Sequence, residues 1–147
     1  MRKQIIKLSL ILILGLVAIG ITGCQPQIPE IPCSIEVTSP GHWEGLNGNE
    51  TYEITWNWVG PTDKKVNLIL IGYTEDENEL GTMLIDSNIL GADGSYIWGP
   101  NFGASIFENF GGGDNWPWWF RIKVEVVGSE EVYSSSEFFS VQWDIVW

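Results

Sequence analysis

The residues best suited to chemistry in this chain are aromatic. Positions 99–118 read GPNFGASIFENFGGGDNWPW, which sets Phe102, Phe107, Phe110 and Trp116 among glycines. Exposed rings stack on sugars through C–H/π contacts and apolar burial, and an indole adds an N–H donor. Asp114 and Asn115, beside Trp116, would supply hydrogen bonds to a hydroxylated ligand. Trp116 and Trp119 are therefore the expected contact residues, with Asp114 and Asn115 as polar partners and Trp118 buried beneath them. The alternative is that the rings fold back over the open end of the domain, glycines 111–113 merely permitting the turn. A structureless connection this long is uncommon in a compact domain unless it is functional or disordered.

Other residue types offer less. His42 is the single histidine, so a base or metal site built on it lacks a second imidazole; it reads as a turn residue beside Trp43. Asp86, Asn88, Asp93 and Asn101 carry oxygens that suit calcium, but their spacing is not that of an EF-hand loop, and turn formation explains them. Asn49-Glu50-Thr51 has the form of a glycosylation sequon. Serines 134–136 lack a Gly-x-Ser-x-Gly context, and glycines 111–113 lack the lysine of a phosphate-binding loop. Nineteen carboxylates place some pair close together by number alone. No catalytic residue, metal site or cofactor is expected.

The elements that must hold the aromatics are strands. Residues 34–39 (SIEVTS) alternate, with Ile35 and Val37 on one face. Residues 52–58 (YEITWNW) alternate cleanly, Tyr52, Ile54, Trp56 and Trp58 against Glu53, Thr55 and Asn57. Residues 66–73 (VNLILIGY) are apolar on both faces, as a central strand requires. Weaker strands fall at 83–87 and 94–98. The longest, 118–127, puts Trp118, Phe120, Ile122, Val124 and Val126 inward and Trp119, Arg121, Lys123 and Glu125 outward. A last strand at 137–141 pairs Phe139 with Val141 on one face. No stretch beyond residue 33 shows a sustained helical period. Seven short strands between Gly, Pro, Asn and Asp predict an all-β sandwich over residues 34–147.

The chain begins MRKQIIK, continues apolar from Leu8 to Ile21, and then reads Ile21-Thr22-Gly23-Cys24. A positive start, a short apolar run and small residues before a cysteine resemble the bacterial lipoprotein signal. That resemblance implies cleavage after residue 23 and lipid on the Cys24 sulfur, with two or more acyl chains giving a stable membrane anchor. An uncleaved anchor is the alternative, but the apolar run falls short of the about 20 residues a spanning helix needs. Either way the remaining chain lies outside the cytoplasm. In the linker 24–33, residues 25–32 (QPQIPEIP) hold Pro26, Pro29 and Pro32, whose spacing of three matches polyproline II, a semi-rigid stalk about 25 Å long at roughly 3.1 Å per residue. Losing Arg2, Lys3 and Lys7 takes the formal net charge from −12 to −15. Lys64, Lys65, Arg121 and Lys123 are then the only formal cations, a balance that repels nucleic acid and anionic headgroups. The acids at 75, 76, 77 and 79 read as a solvated loop. With Cys24 lipidated, Cys33 has no partner for an internal disulfide. Nine tryptophans can fill a core without one.

Ser39-Pro40, then Tyr52, Ile54, Thr55 and Trp56, then Tyr96, Trp98 and Pro100, then Phe120 and Ile122, then Ser136, Phe139 and Val141 form an ordered string across residues 35–141. It resembles the extracellular domain of yeast cell-wall synthesis proteins of the Kre9/Knh1 type and of Ser/Thr-rich GPI-anchored fungal proteins, with related domains in bacterial surface proteins. The matching positions are core and turn residues, so the resemblance implies an immunoglobulin-like or fibronectin-III-like sandwich and no catalytic group. The chain departs from that pattern in lacking a Ser/Thr-rich stalk and in its long segment after Trp98. The expectation is a lipid-anchored envelope protein with a non-enzymatic surface binding or adhesion module, its ligand an envelope polysaccharide or a neighbouring protein. The alternatives are a structural role docking an envelope protein and, for lack of an acid/base motif, a weaker one as a wall hydrolase.

Overall fold

Period-two alternation in the sequence becomes the two inner faces of a β-sandwich. The computed structural model describes residues 32–111 and 117–142, within a compact unit running from Ile31 to Trp147. Nine strands lie among the described residues: β1 (Ser34–Ser39), β2 (Gly45–Asn47), β3 (Tyr52–Val59), β4 (Lys65–Tyr73), β5 (Glu79–Leu90), β6 (Ser95–Trp98), β7 (Trp119–Val126), β8 (Ser129–Ser135) and β9 (Ser140–Gln142). One helix, α1 (Phe102–Phe110), falls between β6 and β7. The sheets have the orders β1-β3-β6 and β5-β4-β7-β8, both antiparallel, while β2 and β9 form a parallel pair.

The core forms where the two alternations meet. Ile54 and Trp56 from β3 and Trp98 from β6 face Val66, Leu68 and Leu70 of β4 and Phe120, Ile122, Val124 and Val126 of β7, all buried in one cluster. Each such side chain contributes about 1.5–3 kcal/mol on leaving water. Trp56 keeps its indole satisfied by donating to the Gly91 carbonyl at 2.8 Å. Ser136 is the one buried polar residue among those described. Its hydroxyl accepts from the Ile122 N–H at 2.9 Å and donates to the Glu137 carbonyl at 2.8 Å, bridging the end of β8 to the centre of β7. Cys33 is a free, half-buried thiol packed against the same core.

Several expectations need correction. Two strands, β2 and β8, add to the seven read from the sequence, and the weak strand at 83–87 is the middle of the twelve-residue β5. The final strand begins at Ser140, with Phe139 making a single bridge to Phe120. Residues 102–110 are a helix, not a loop. Phe102, Ile106 and Phe110, four apart, place one side of α1 on the core, Phe102 and Ile106 buried and Phe110 half-buried. Such a short helix with Gly103 in its first turn is not stable by propensity and forms because that side is buried. Its start docks through glycine: Gly103 N–H donates to the Gly48 carbonyl at 3.0 Å, and a Cβ on Gly48 would lie 2.9 Å from the Gly103 Cα. These phenylalanines therefore fold back onto the sandwich, and Phe102 stacks on Trp98 at 4.2 Å between centroids.

Candidate functional site

The outward face of the four-stranded sheet is less polar than an antiparallel sheet facing water ordinarily is. Register sets its rows: Tyr73 of β4 lies opposite Trp119 of β7, Ile71 opposite Arg121, Ile69 opposite Lys123, and Asn67 opposite Glu125. All eight are partly covered. Leu84 of β5 extends the Ile69 row and is 60% exposed.

At the Tyr73–Trp119 end, the segment between β1 and β2 brings a second tryptophan onto this face. Trp43 is 47% exposed and its backbone is left-handed, with φ 57°. A bulky L-residue seldom adopts that conformation, because its Cβ crowds the following carbonyl. Here it is held: the Trp43 N–H donates to the Phe138 carbonyl at 2.7 Å, and the Ser140 N–H donates to the Glu44 carbonyl at 2.9 Å. The Glu44 carboxylate braces the turn by accepting from the Gly41 N–H at 2.8 Å and the Tyr52 hydroxyl at 2.9 Å. Burial is the main reason the Tyr52 phenol is pushed up to about 12, with Glu44 reinforcing it against the opposing hydrogen bond to Ser39.

The rings form one connected surface. Trp43 meets Trp119 edge-on at 4.5 Å and stacks with Phe138 at 6.1 Å, while Tyr73 meets Phe138 edge-on at 5.2 Å. The Arg121 guanidinium lies over the Phe138 ring, its Cζ 3.8 Å from the centroid. The Arg121 Nε is buried without a hydrogen-bond partner among the described residues. Lys123, two residues on, is instead paired with Glu125 at 2.6 Å and sits 4.7 Å from the Tyr133 ring. The Tyr73 phenol is raised chiefly by burial; the nearby Arg121 charge works against that and Glu79 works with it. His42 edges onto Trp43 at 5.0 Å and approaches Glu137 at 3.5 Å, both side chains being largely exposed. Such a contact contributes little to stability.

Of the residues expected at the site, Trp119 is on this surface, half-buried rather than fully presented. Trp116, Asp114 and Asn115 lie outside the described residues, as does Cys24. Trp118 was expected beneath the others and is 58% exposed. It precedes the last rung of the ladder, Tyr73–Trp119, and the inner position over Gly72 is occupied by Pro117 and Phe110. Trp43, Phe138 and Arg121 were not singled out as contact residues. The available signal for Trp43 was a tryptophan in the turn-rich stretch PGHWEGLNGN, where no strand alternation could bury it.

The weaker candidates have structural employment. Ser134 Oγ accepts from the Val37 N–H at 3.2 Å, and Ser136 is committed as described above. Asp86 and Asn88 lie within β5 rather than in a turn. Asn88 takes a left-handed conformation where the β4–β5 register shifts, Asp86 accepts from the Ser87 N–H at 2.7 Å, and Asn101 is left-handed just before α1. The acids at 75, 76, 77 and 79 are exposed around the β4–β5 turn. Among the described residues, no group of three His, Cys, Asp or Glu side chains is placed to hold a metal, and no helix is long and apolar enough to cross a membrane. In comparison with known proteins, no family model and no curated protein matches the chain.

Proposed function

We propose that this chain is a lipid-anchored envelope protein whose sandwich is a non-enzymatic binding module, with polysaccharide as the ligand of the Trp43–Trp119 surface. The observation that carries the reading is Trp43 itself. An exposed indole held in a costly backbone conformation against a second indole is a feature that folding alone does not call for. Two rings, one on the sheet and one in a braced turn beside it, can stack on a sugar with little loss of conformational freedom. The orders β1-β3-β6 and β5-β4-β7-β8 support an immunoglobulin-like or fibronectin-III-like assignment, in keeping with the resemblance to fungal cell-wall domains. The anchor rests on the Ile21–Cys24 sequence.

A second reading, docking of an envelope protein, draws on the apolar strip formed by Ile69, Ile71 and exposed Leu84 on the same face. The two separate in one experiment. Intrinsic fluorescence of the full chain in detergent is followed while glucan and peptidoglycan fragments are added, with Trp43→Ala and Trp119→Ala alongside. Sugar binding predicts a saturable shift that both variants lose. A flat titration from folded protein moves the assignment to protein docking, in which crosslinking captures one dominant partner regardless of added glycan.

A further inference from the structure

Arg121 is out of keeping with its surroundings. The chain has nineteen acidic residues and seven basic ones, so a guanidinium could readily have been given a carboxylate. Lys123 has one, at 2.6 Å. The Arg121 side chain makes neither an ion pair nor a hydrogen bond with any described residue, and its buried Nε is left without a partner among them. A buried donor without a partner is costly, and a charged one more so. Phe138 explains the position of the group, through cation–π contact at 3.8 Å, but an aromatic face accepts nothing at the in-plane N–H edges. The Phe138 ring that Arg121 covers also stacks with Trp43, so the guanidinium borders the surface that Trp43 and Trp119 build.

We infer that Arg121 makes the Trp43–Trp119 surface a site for a saccharide bearing a carboxylate, a uronic acid or an acid-substituted sugar, an inference that rests on the sugar-binding reading above. The recognition is local. A guanidinium presents its donors in one plane, which matches the two oxygens of a carboxylate better than an ammonium does. The tryptophans take the apolar face of the sugar ring, and Arg121 takes the acid at its edge. The net negative charge of the chain narrows the ligand further. A dense polyanion is repelled over the Debye length of about 10 Å at 0.1 M salt, whereas one carboxylate at contact distance is held by the adjacent charge. The fitting ligand is a largely neutral saccharide with sparse carboxylates.

The test uses pairs of oligosaccharides that differ in one carboxylate. One pair is xylotetraose carrying a single glucuronic acid and the same compound with its carboxyl reduced. The other is an N-acetylmuramic acid disaccharide and the same compound with its lactyl carboxyl reduced. Affinities are measured by calorimetry for the full chain in detergent, for Arg121→Gln, Arg121→Lys and Trp43→Ala, with far-UV circular dichroism checking each fold. The acidic member of at least one pair is expected to bind about tenfold tighter than its neutral partner, the size of one charge-assisted hydrogen bond. That ratio should fall to about one in Arg121→Gln and keep part of its value in Arg121→Lys, which retains the charge but not the planar fork. Equal binding of both members, with the ratio unmoved by either Arg121 variant, overturns the role of Arg121 and leaves the aromatic platform standing. No binding of any member, or binding indifferent to Trp43→Ala, overturns the sugar-binding reading and this inference with it.

Discussion

Replacing Trp43 separates the cost of its backbone from the worth of its ring. The residue sits at φ 57°, where an L-residue with a Cβ is disfavoured by about 1–2 kcal/mol and glycine is not. Trp43→Ala removes the ring and keeps that penalty; Trp43→Gly removes both. Glycine loses more freedom on folding, by about 0.5–1 kcal/mol relative to alanine. The difference leaves Trp43→Gly more stable than Trp43→Ala by about 0.5–1 kcal/mol. At an exposed strand position of ordinary φ, such as Glu53 on β3, the order reverses and alanine is favoured. The sign of the Gly–Ala difference is thus the observable.

Urea unfolding followed by far-UV circular dichroism measures it, because m should be equal across the four variants and only the midpoint should move. A difference of 1 kcal/mol amounts to about 3–5 °C in melting temperature for a domain of roughly 100–150 residues. Both Trp43 variants should lose sugar binding equally, since neither retains the ring. If Trp43→Ala is as stable as Trp43→Gly or more so, the backbone is not strained. The inference that stability has been given up to present the indole then collapses.

Three further outcomes follow from the packing. Gly72→Ala places a Cβ 2.8 Å from both the Phe110 Cε1 and the Pro117 Cγ, and should cost about 1–3 kcal/mol in urea unfolding; Phe110→Leu in the same chain should recover part of it. Ser136→Ala leaves the buried Ile122 N–H without its acceptor, a loss of about 1–3 kcal/mol that Ser136→Thr would not reproduce if the hydroxyl keeps its place. The Tyr52 phenol, raised to about 12 chiefly by burial, ionises in the unfolded chain near pH 10 but in the folded one only later. Its contribution is therefore complete below pH 10 and is lost as pH rises toward 12. Midpoints measured from pH 8 to 12 should fall less steeply for Tyr52→Phe than for the parent, with Tyr73 and Tyr96, also raised by burial, supplying the slope that remains.

Much of the sandwich was legible because its central strands obey one rule without interruption. In β3 and β7 every second residue is large and apolar, and the pairing of each strand preserves those faces. β8 escaped notice because SEEVYSS has too few apolar residues to alternate; as an edge strand it is specified by the tight turn at Gly128, φ 79°, and by its ladder to β7. β2 is three residues long and exists through its pairing with β9, which no local pattern encodes. The helix was hidden by its glycines, although Phe102, Ile106 and Phe110 already carried its spacing. Trp118 was misplaced by continuing an alternation one residue past the strand that sustains it.

The site divides along the same line. Trp119 could be placed by alternation because its strand determines where it points. The same alternation put Arg121 on the outward face. Neither its stacking nor the exposure of Trp43 could be read, since each owes its setting to Phe138, outside its own strand or turn. Phe138 supplies the carbonyl that fixes the Trp43 backbone, the ring that Trp43 stacks on, and the face that Arg121 covers. Glu44 extends the same logic by joining Gly41 and Tyr52 across the turn that presents Trp43. Core alternation specifies a fold that many sequences can reach, and it is indifferent to whether Trp43 is exposed. Two local features, a left-handed tryptophan and an arginine without a carboxylate among the described residues, serve no need of the core. They meet on one surface, and a ligand that uses both the ring and the charge accounts for them together.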